Sequence, residues 1–211
     1  MLTFLFANLM GCTCADSSSE SDWYLEQLYQ DNWRYLTTSP QQLAFKFQAM
    51  HDSSYDFMRG SLVLYLGHRA RVSQERQATR FLQSAEATLL PIVGDAHPEN
   101  VTICAAPSQE TTMEFVDLDA SDHGPWLLDV QRAAMALRIF GDQLNGCTME
   151  CQDTAVRSFS EGYLQAVQGN LFNVTDSQIL QDLIEEAQEE GAGRKIRGGR
   201  EAVQDEFRNL R

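Results

Sequence analysis

Lysine is almost missing from this chain: of 211 residues only Lys46 and Lys195 carry an ε-ammonium, and 30 acidic side chains against 16 lysines and arginines leave a formal net charge of −14. Such a molecule repels polyphosphate backbones, so nucleic acid is not an expected partner. Any phosphate handled here needs a metal ion or a few arginines to offset the charge locally. Long apolar runs are missing too, since none approaches the ~18 residues of a membrane-spanning helix, which excludes a multi-span membrane protein. The 13 glycines and 5 prolines are too few for a collagenous or low-complexity chain. What is present, 43% hydrophobic and 22% charged residues, suffices for one sizeable core and a small lobe besides.

No basic residue precedes Arg34. The opening MLTFLFANLMG is apolar and too short to cross a bilayer, and it runs into Cys12, Cys14 and the polar stretch Asp16–Asp22. This is the outline of an export signal without its basic start. Leu9-Met10-Gly11-Cys12 resembles a bacterial lipobox, in which Cys12 is lipidated and anchors the protein to a membrane, residues 1–22 serving as signal and Ser-rich tether. The competing reading is a buried N-terminal strand, and localisation divides the same way between an exported lipoprotein and a cytoplasmic protein. Cys147 and Cys151 read as a pair in an oxidising compartment or as thiols in a reducing one. Ordinary thiols are the expectation. No second Cys/His pair sits at ligand spacing, so zinc is not implied.

Trp23–Phe47 reads as short helices broken at Ser39-Pro40. Tyr55–Gly60 reads as a short strand or turn, Gln74–Leu90 as a helix, and Leu89–Val93 as a buried strand entering Gly94-Asp95. Val101–Ala105 and Met113–Leu118 form an expected hairpin around the loop Ala106–Thr112. After the turn at Gly124-Pro125, Leu127, Val130, Ala134 and Leu137 recur on one helical face, and Asp153–Gln168 repeats the pattern. Thr175-Asp-Ser-Gln178 matches a capping box before a third helix. The second half is therefore expected to be helical, ending in a charged, Gly-interrupted tail over 189–211. Phe115 and Trp126 read as core aromatics.

The informative stretch is Gly94-Asp-Ala-His-Pro-Glu-Asn100, followed by the hairpin and then Phe115-Val-Asp-Leu-Asp119. Asp95 and Asn100 stand at the Asp-to-Asn spacing of the protein-kinase catalytic loop, where the acid positions an acceptor hydroxyl and the amide binds a metal ion. Asp117 follows the strand pair, where a kinase places its second metal-binding carboxylate. Hard oxygens of this kind are what Mg²⁺ accepts, and a carboxylate outside the metal shell must meet the attacking hydroxyl.

Phe57-Met-Arg-Gly60, the Gly94–Asn100 motif, Val116-Asp-Leu-Asp-Ala120 and Gly124-Pro-Trp-Leu-Leu-Asp-Val-Gln-Arg132 together resemble the bacterial domain-of-unknown-function family 2252, itself similar to the kinase-like aminoglycoside and choline phosphotransferases. The resemblance runs from about Phe47 to about Phe140. It implies an α+β, protein-kinase-like fold with an abbreviated small lobe, spanning residues 23–188. Members are usually much longer, which implies a truncated copy. Carried over, it implies Asp95 as catalytic base, Asn100, Asp117 and Asp119 at a Mg²⁺ or Mn²⁺ ion, and Asp129 as the brace of the catalytic loop. His97 and Arg59 are the candidates for contacting ATP phosphates.

The departures are in the small lobe. No glycine occurs between Gly11 and Gly60, so no Gly-rich phosphate-covering loop can be read there, and Lys46 lies in a helical context. The expectation is an ATP- and Mg²⁺-dependent phosphotransferase acting on an unknown hydroxyl of a small molecule or protein. The alternatives are a non-catalytic kinase-like binding module or lipoprotein, and a metal-dependent phosphoesterase built on Asp95, His97, Asp117 and Asp119.

Overall fold

Serines and a proline punctuate the first part of the chain. In the computed structural model, which describes residues 17–75, 88–105 and 111–170 and the isolated helical positions 178, 181 and 185, they separate consecutive helices. These are α1 (Ser17–Asn32), α2 (Tyr35–Thr38), α3 (Pro40–Asp52), α4 (Ser54–Gly60) and α5 (Leu62–Glu75). Pro40 opens α3, where a missing N–H leaves no intrahelical bond unmade. The Ser53 hydroxyl accepts the Asp56 N–H at 3.0 Å and caps α4. That cap overturns the strand or turn expected over Tyr55–Gly60: the satisfied donor and the packing of Tyr55 and Met58 outweigh a β-prone composition. Helix α1 begins inside the stretch expected as a tether. Cys12, the rest of 1–16, residues 76–87 of the helix expected over Gln74–Leu90, most of the Thr175–Gln178 capping box and the tail 189–211 lie outside the described residues.

Two small antiparallel sheets follow. Strand β1 (Leu89–Ile92) pairs with β4 (Asp122–Pro125), Leu90 opposite Gly124, and β2 (Val101–Ala105) pairs with β3 (Thr111–Phe115), Ile103 opposite Met113. A 3₁₀ turn, Pro98–Asn100, leads into β2. The expected hairpin forms, but Leu89 and Leu90 are exposed rather than buried. Strand β4 was not expected, because Gly-Pro composition argues for a turn. Gly124 fits there because a Cβ would come 2.6 Å from Ile92 Cδ1 on the paired strand.

Helices α6 (Leu127–Asp142) and α7 (Met149–Val167) carry the core. Tyr55 and Met58 of α4 pack on Ala136 and Phe140 of α6 and on Cys151 of α7. The Tyr55 and Phe140 rings meet edge to face at 4.9 Å. Each such buried side chain contributes about 1.5–3 kcal/mol from the apolar area it removes from water. Thr148 caps α7 by accepting the Cys151 N–H at 3.3 Å, and Cys147 and Cys151 are disulfide-bonded where free thiols were expected. Phe115 is largely exposed and is no core aromatic, while Trp126 stacks on Tyr163 at 6.0 Å. The whole is a mixed α+β structure, mostly helical with small sheets. No helix among the described residues is long and apolar enough to cross a membrane.

Candidate functional site

The turn after β1 is held from three directions. Gly94 has φ +83°, and a Cβ on it would lie 2.2 Å from the Ala120 carbonyl oxygen, so its bareness lets this turn approach the one after β3. Asp129, in the first turn of α6, accepts the N–H groups of Val93 and Gly94 at 2.7 and 2.9 Å through its two oxygens. The Asn100 side chain donates from Nδ2 to the Asp95 carbonyl at 3.1 Å and closes the turn on itself. The Asn100 main-chain carbonyl accepts the Val116 N–H at 2.8 Å, which sets the second acidic turn beside the first.

Asp95 is held by a buried cation. Nε and Nη2 of Arg132 donate to its Oδ1 at 2.9 and 2.7 Å, while His97 Nε2 stands 3.6 Å from Oδ2. Burial alone would push the Asp95 carboxyl up, but the His97 contact and the Arg132 guanidinium overcome it and hold the group below its usual range. Arg132 is fully buried, and its guanidinium carbon lies 5.2 Å from the Tyr65 ring centre. Burial pushes the Tyr65 phenol up to about 12, so its OH stays protonated and donates to the Leu128 carbonyl at 3.0 Å.

Asp95, His97, Asp117, Asp119 and Arg59 line one cavity of about 330 Å³, together with Leu62 and Ala120. Arg59 reaches Glu99 at 2.7 Å and Asp56 at 3.5 Å through Nη1, while its buried Nε has no hydrogen-bond partner among the described residues. His97 is buried, with Nδ1 likewise unpartnered among them. Asp117 has φ +62°, the left-handed conformation found at no other non-glycine residue described. Neither Asp117 nor Asp119 has an ion-pair partner among the described residues, so two uncompensated carboxylates face this space.

Of the residues singled out by sequence, Asn100 and Asp129 are not on the cavity wall, and the Asn100 side chain is buried in the turn. Asp129 lies behind that turn. No three His, Cys, Asp or Glu side chains among the described residues are close enough to form a metal cage. Sequence reasoning missed Gly94 and Arg132. The signal for Arg132 was its place three residues after Asp129, which puts both on one helical face toward the same turn.

A family model described as an uncharacterised protein conserved in bacteria (DUF2252) matches residues 38–209. No curated protein and no solved structure matches the chain.

Proposed function

The chain belongs to the DUF2252 family of uncharacterised bacterial proteins, and from that premise we propose that it is a kinase-like phosphotransferase using ATP and Mg²⁺ on a hydroxyl acceptor. The observation that carries this reading is the gathering of Asp95, His97, Asp117 and Asp119 from two separate turns around one cavity, with Arg59 beside them. The donor set suits Mg²⁺ in a particular way. Mg²⁺ commonly takes one or two carboxylates and completes its shell with phosphate oxygens and water, and when bound it neutralises charge between the β- and γ-phosphates. Two carboxylates with neither an ion-pair partner nor a third His, Cys, Asp or Glu ligand among the described residues fit an ion delivered on a nucleotide. They do not fit a resident cage, and the phosphoesterase reading is therefore not pursued.

Asp117 and Asp119 would hold the ion, whereas Asn100, the third ligand expected from the sequence, is buried off the cavity wall and ties the turn through its Nδ2. Asp95 stays ionised, and its Oδ2 is the oxygen left to accept a hydrogen bond from the acceptor hydroxyl. As the acceptor oxygen bonds to the γ-phosphorus, the bond from that phosphorus to the ADP oxygen breaks, and the hydroxyl proton passes to Asp95. A loose transition state asks for orientation more than for base strength, which suits a carboxylate of lowered basicity. Arg59 and His97 supply donors for phosphate oxygens.

Transfer of radiolabel from γ-labelled ATP in the presence of Mg²⁺, to water or to any added hydroxyl compound, is the test. Asp95→Asn and Asp117→Asn should each lower it by about 10²–10⁴-fold. A wild-type chain that neither binds nor turns over Mg·ATP sinks the proposal. The buried Arg132–Asp95 pair favours a second reading, a non-catalytic binding module, because it gives Asp95 a structural use. In that case nucleotide binds without turnover.

A further inference from the structure

Arg132 divides its donors between two walls of the cavity. Nε and Nη2 both go to Oδ1 of Asp95, at 2.9 and 2.7 Å, and Nη2 also reaches the Met58 carbonyl at 2.8 Å. Met58 directly precedes Arg59, the residue of α4 that lines the same cavity.

A guanidinium placed for ion-pair strength alone meets a carboxylate fork to fork, one N–H on each oxygen. Here two N–H groups converge on one oxygen, and the other, on the His97 side, is left to meet a ligand. Nor does stability explain so deeply buried a charge. Desolvating a guanidinium offsets much of its attraction to the carboxylate, and an apolar side chain of similar volume commonly packs as well. We infer that Arg132 is a positioning residue: it fixes Asp95 by Oδ1, presents Oδ2 to the cavity, and holds the Arg59 wall at a set distance from Asp95. This rests on the phosphotransferase reading and adds to it the group that aims the carboxylate.

Lysine keeps the charge but cannot place two donors on Oδ1 and reach Met58 in one rigid plane. In the full chain, Arg132→Lys should lower kcat for Mg·ATP turnover by at least about tenfold while KM for Mg·ATP stays within about twofold, since orientation is lost and ground-state nucleotide binding is not. Loss of the folded fraction would also lower the apparent kcat at unchanged KM, so kcat is taken per active site, counted by titration with a non-hydrolysable ATP analogue, and the tenfold fall should persist on that basis. A wild-type chain that turns over ATP with Arg132→Lys unchanged, or with KM raised as much as kcat falls, overturns the inference alone. A wild-type chain with no turnover overturns the phosphotransferase reading and the inference with it.

Should Arg132→Lys fail to fold, the wild-type chain still decides. The Arg132 Nε–H resonance should remain slowly exchanging when Mg²⁺ and a non-hydrolysable ATP analogue saturate the protein, whereas its release to solvent exchange on binding contradicts a positioning role.

Discussion

At Gly94 a side chain would have to occupy the space of the Ala120 carbonyl, and the backbone there is left-handed as well. Gly94→Ala should therefore destabilise the fold by more than the roughly 1–3 kcal/mol of a strained backbone position, read as a lower urea midpoint. The effect on the cavity is separate: pushing the two turns apart moves Asp95 from Asp119. The carboxyl of Asp95 predicts an acid-side behaviour of its own. Its folded pKa is held below the ordinary 3.8, so over the interval between the two values the unfolded chain binds more protons. The stabilisation is present above the unfolded value and lost as pH falls through the folded one. Urea titrations from pH 6 downward should show a fall below about pH 4 that is shallower in Asp95→Asn. Asp95, His97, Asp117 and Asp119 were legible in the sequence because a carboxylate, an imidazole and a spacing are visible one residue at a time. The partner of Asp95 was not, because Arg132 pairs with it across 37 positions and only the fold brings them together.

Helix α6 acts as a backbone for the site at its first turns: Asp129 takes the amides of Val93 and Gly94, and Arg132 takes Asp95. Asp129→Asn replaces one accepting oxygen by a donor that faces an N–H, which should cost about 1–3 kcal/mol and leave the α6–α7 packing intact, measured by urea unfolding. Thr148→Ala removes the cap of α7, which is not on the cavity wall, and should cost about 1 kcal/mol with no change in nucleotide turnover. The helices of the second half were legible because apolar residues recur at helical spacing over many turns. Helix α4 was not, since seven residues are too few for periodicity to outweigh two aromatics, although Ser53 and Asp56 stood at capping distance. Strand β4 was hidden for the opposite reason. Its Gly124 and Pro125 are turn residues by composition, and its place is set by β1, which lies more than 30 residues earlier.

Taken whole, a molecule of net charge −14 would, under the proposed function, have to bring its positive charge to the phosphates locally. At the cavity Arg132 is spent on Asp95 and one nitrogen of Arg59 on Glu99, while Asp117 and Asp119 have no ion-pair partner among the described residues. Nucleotide binding is therefore expected to depend on the divalent ion. ATP with excess chelator should leave the melting temperature unchanged, Mg²⁺ alone should shift it little, and the two together should raise it by linkage, with the shift reduced in Asp117→Asn.

The most direct measurement is the anomalous difference density of Mn²⁺ in crystals grown with Mn²⁺ and a non-hydrolysable ATP analogue. A manganese peak beside Asp117 and Asp119 is expected, with the γ-phosphate facing Asp95 Oδ2. A metal and nucleotide bound elsewhere, with this cavity holding only water, contradicts it.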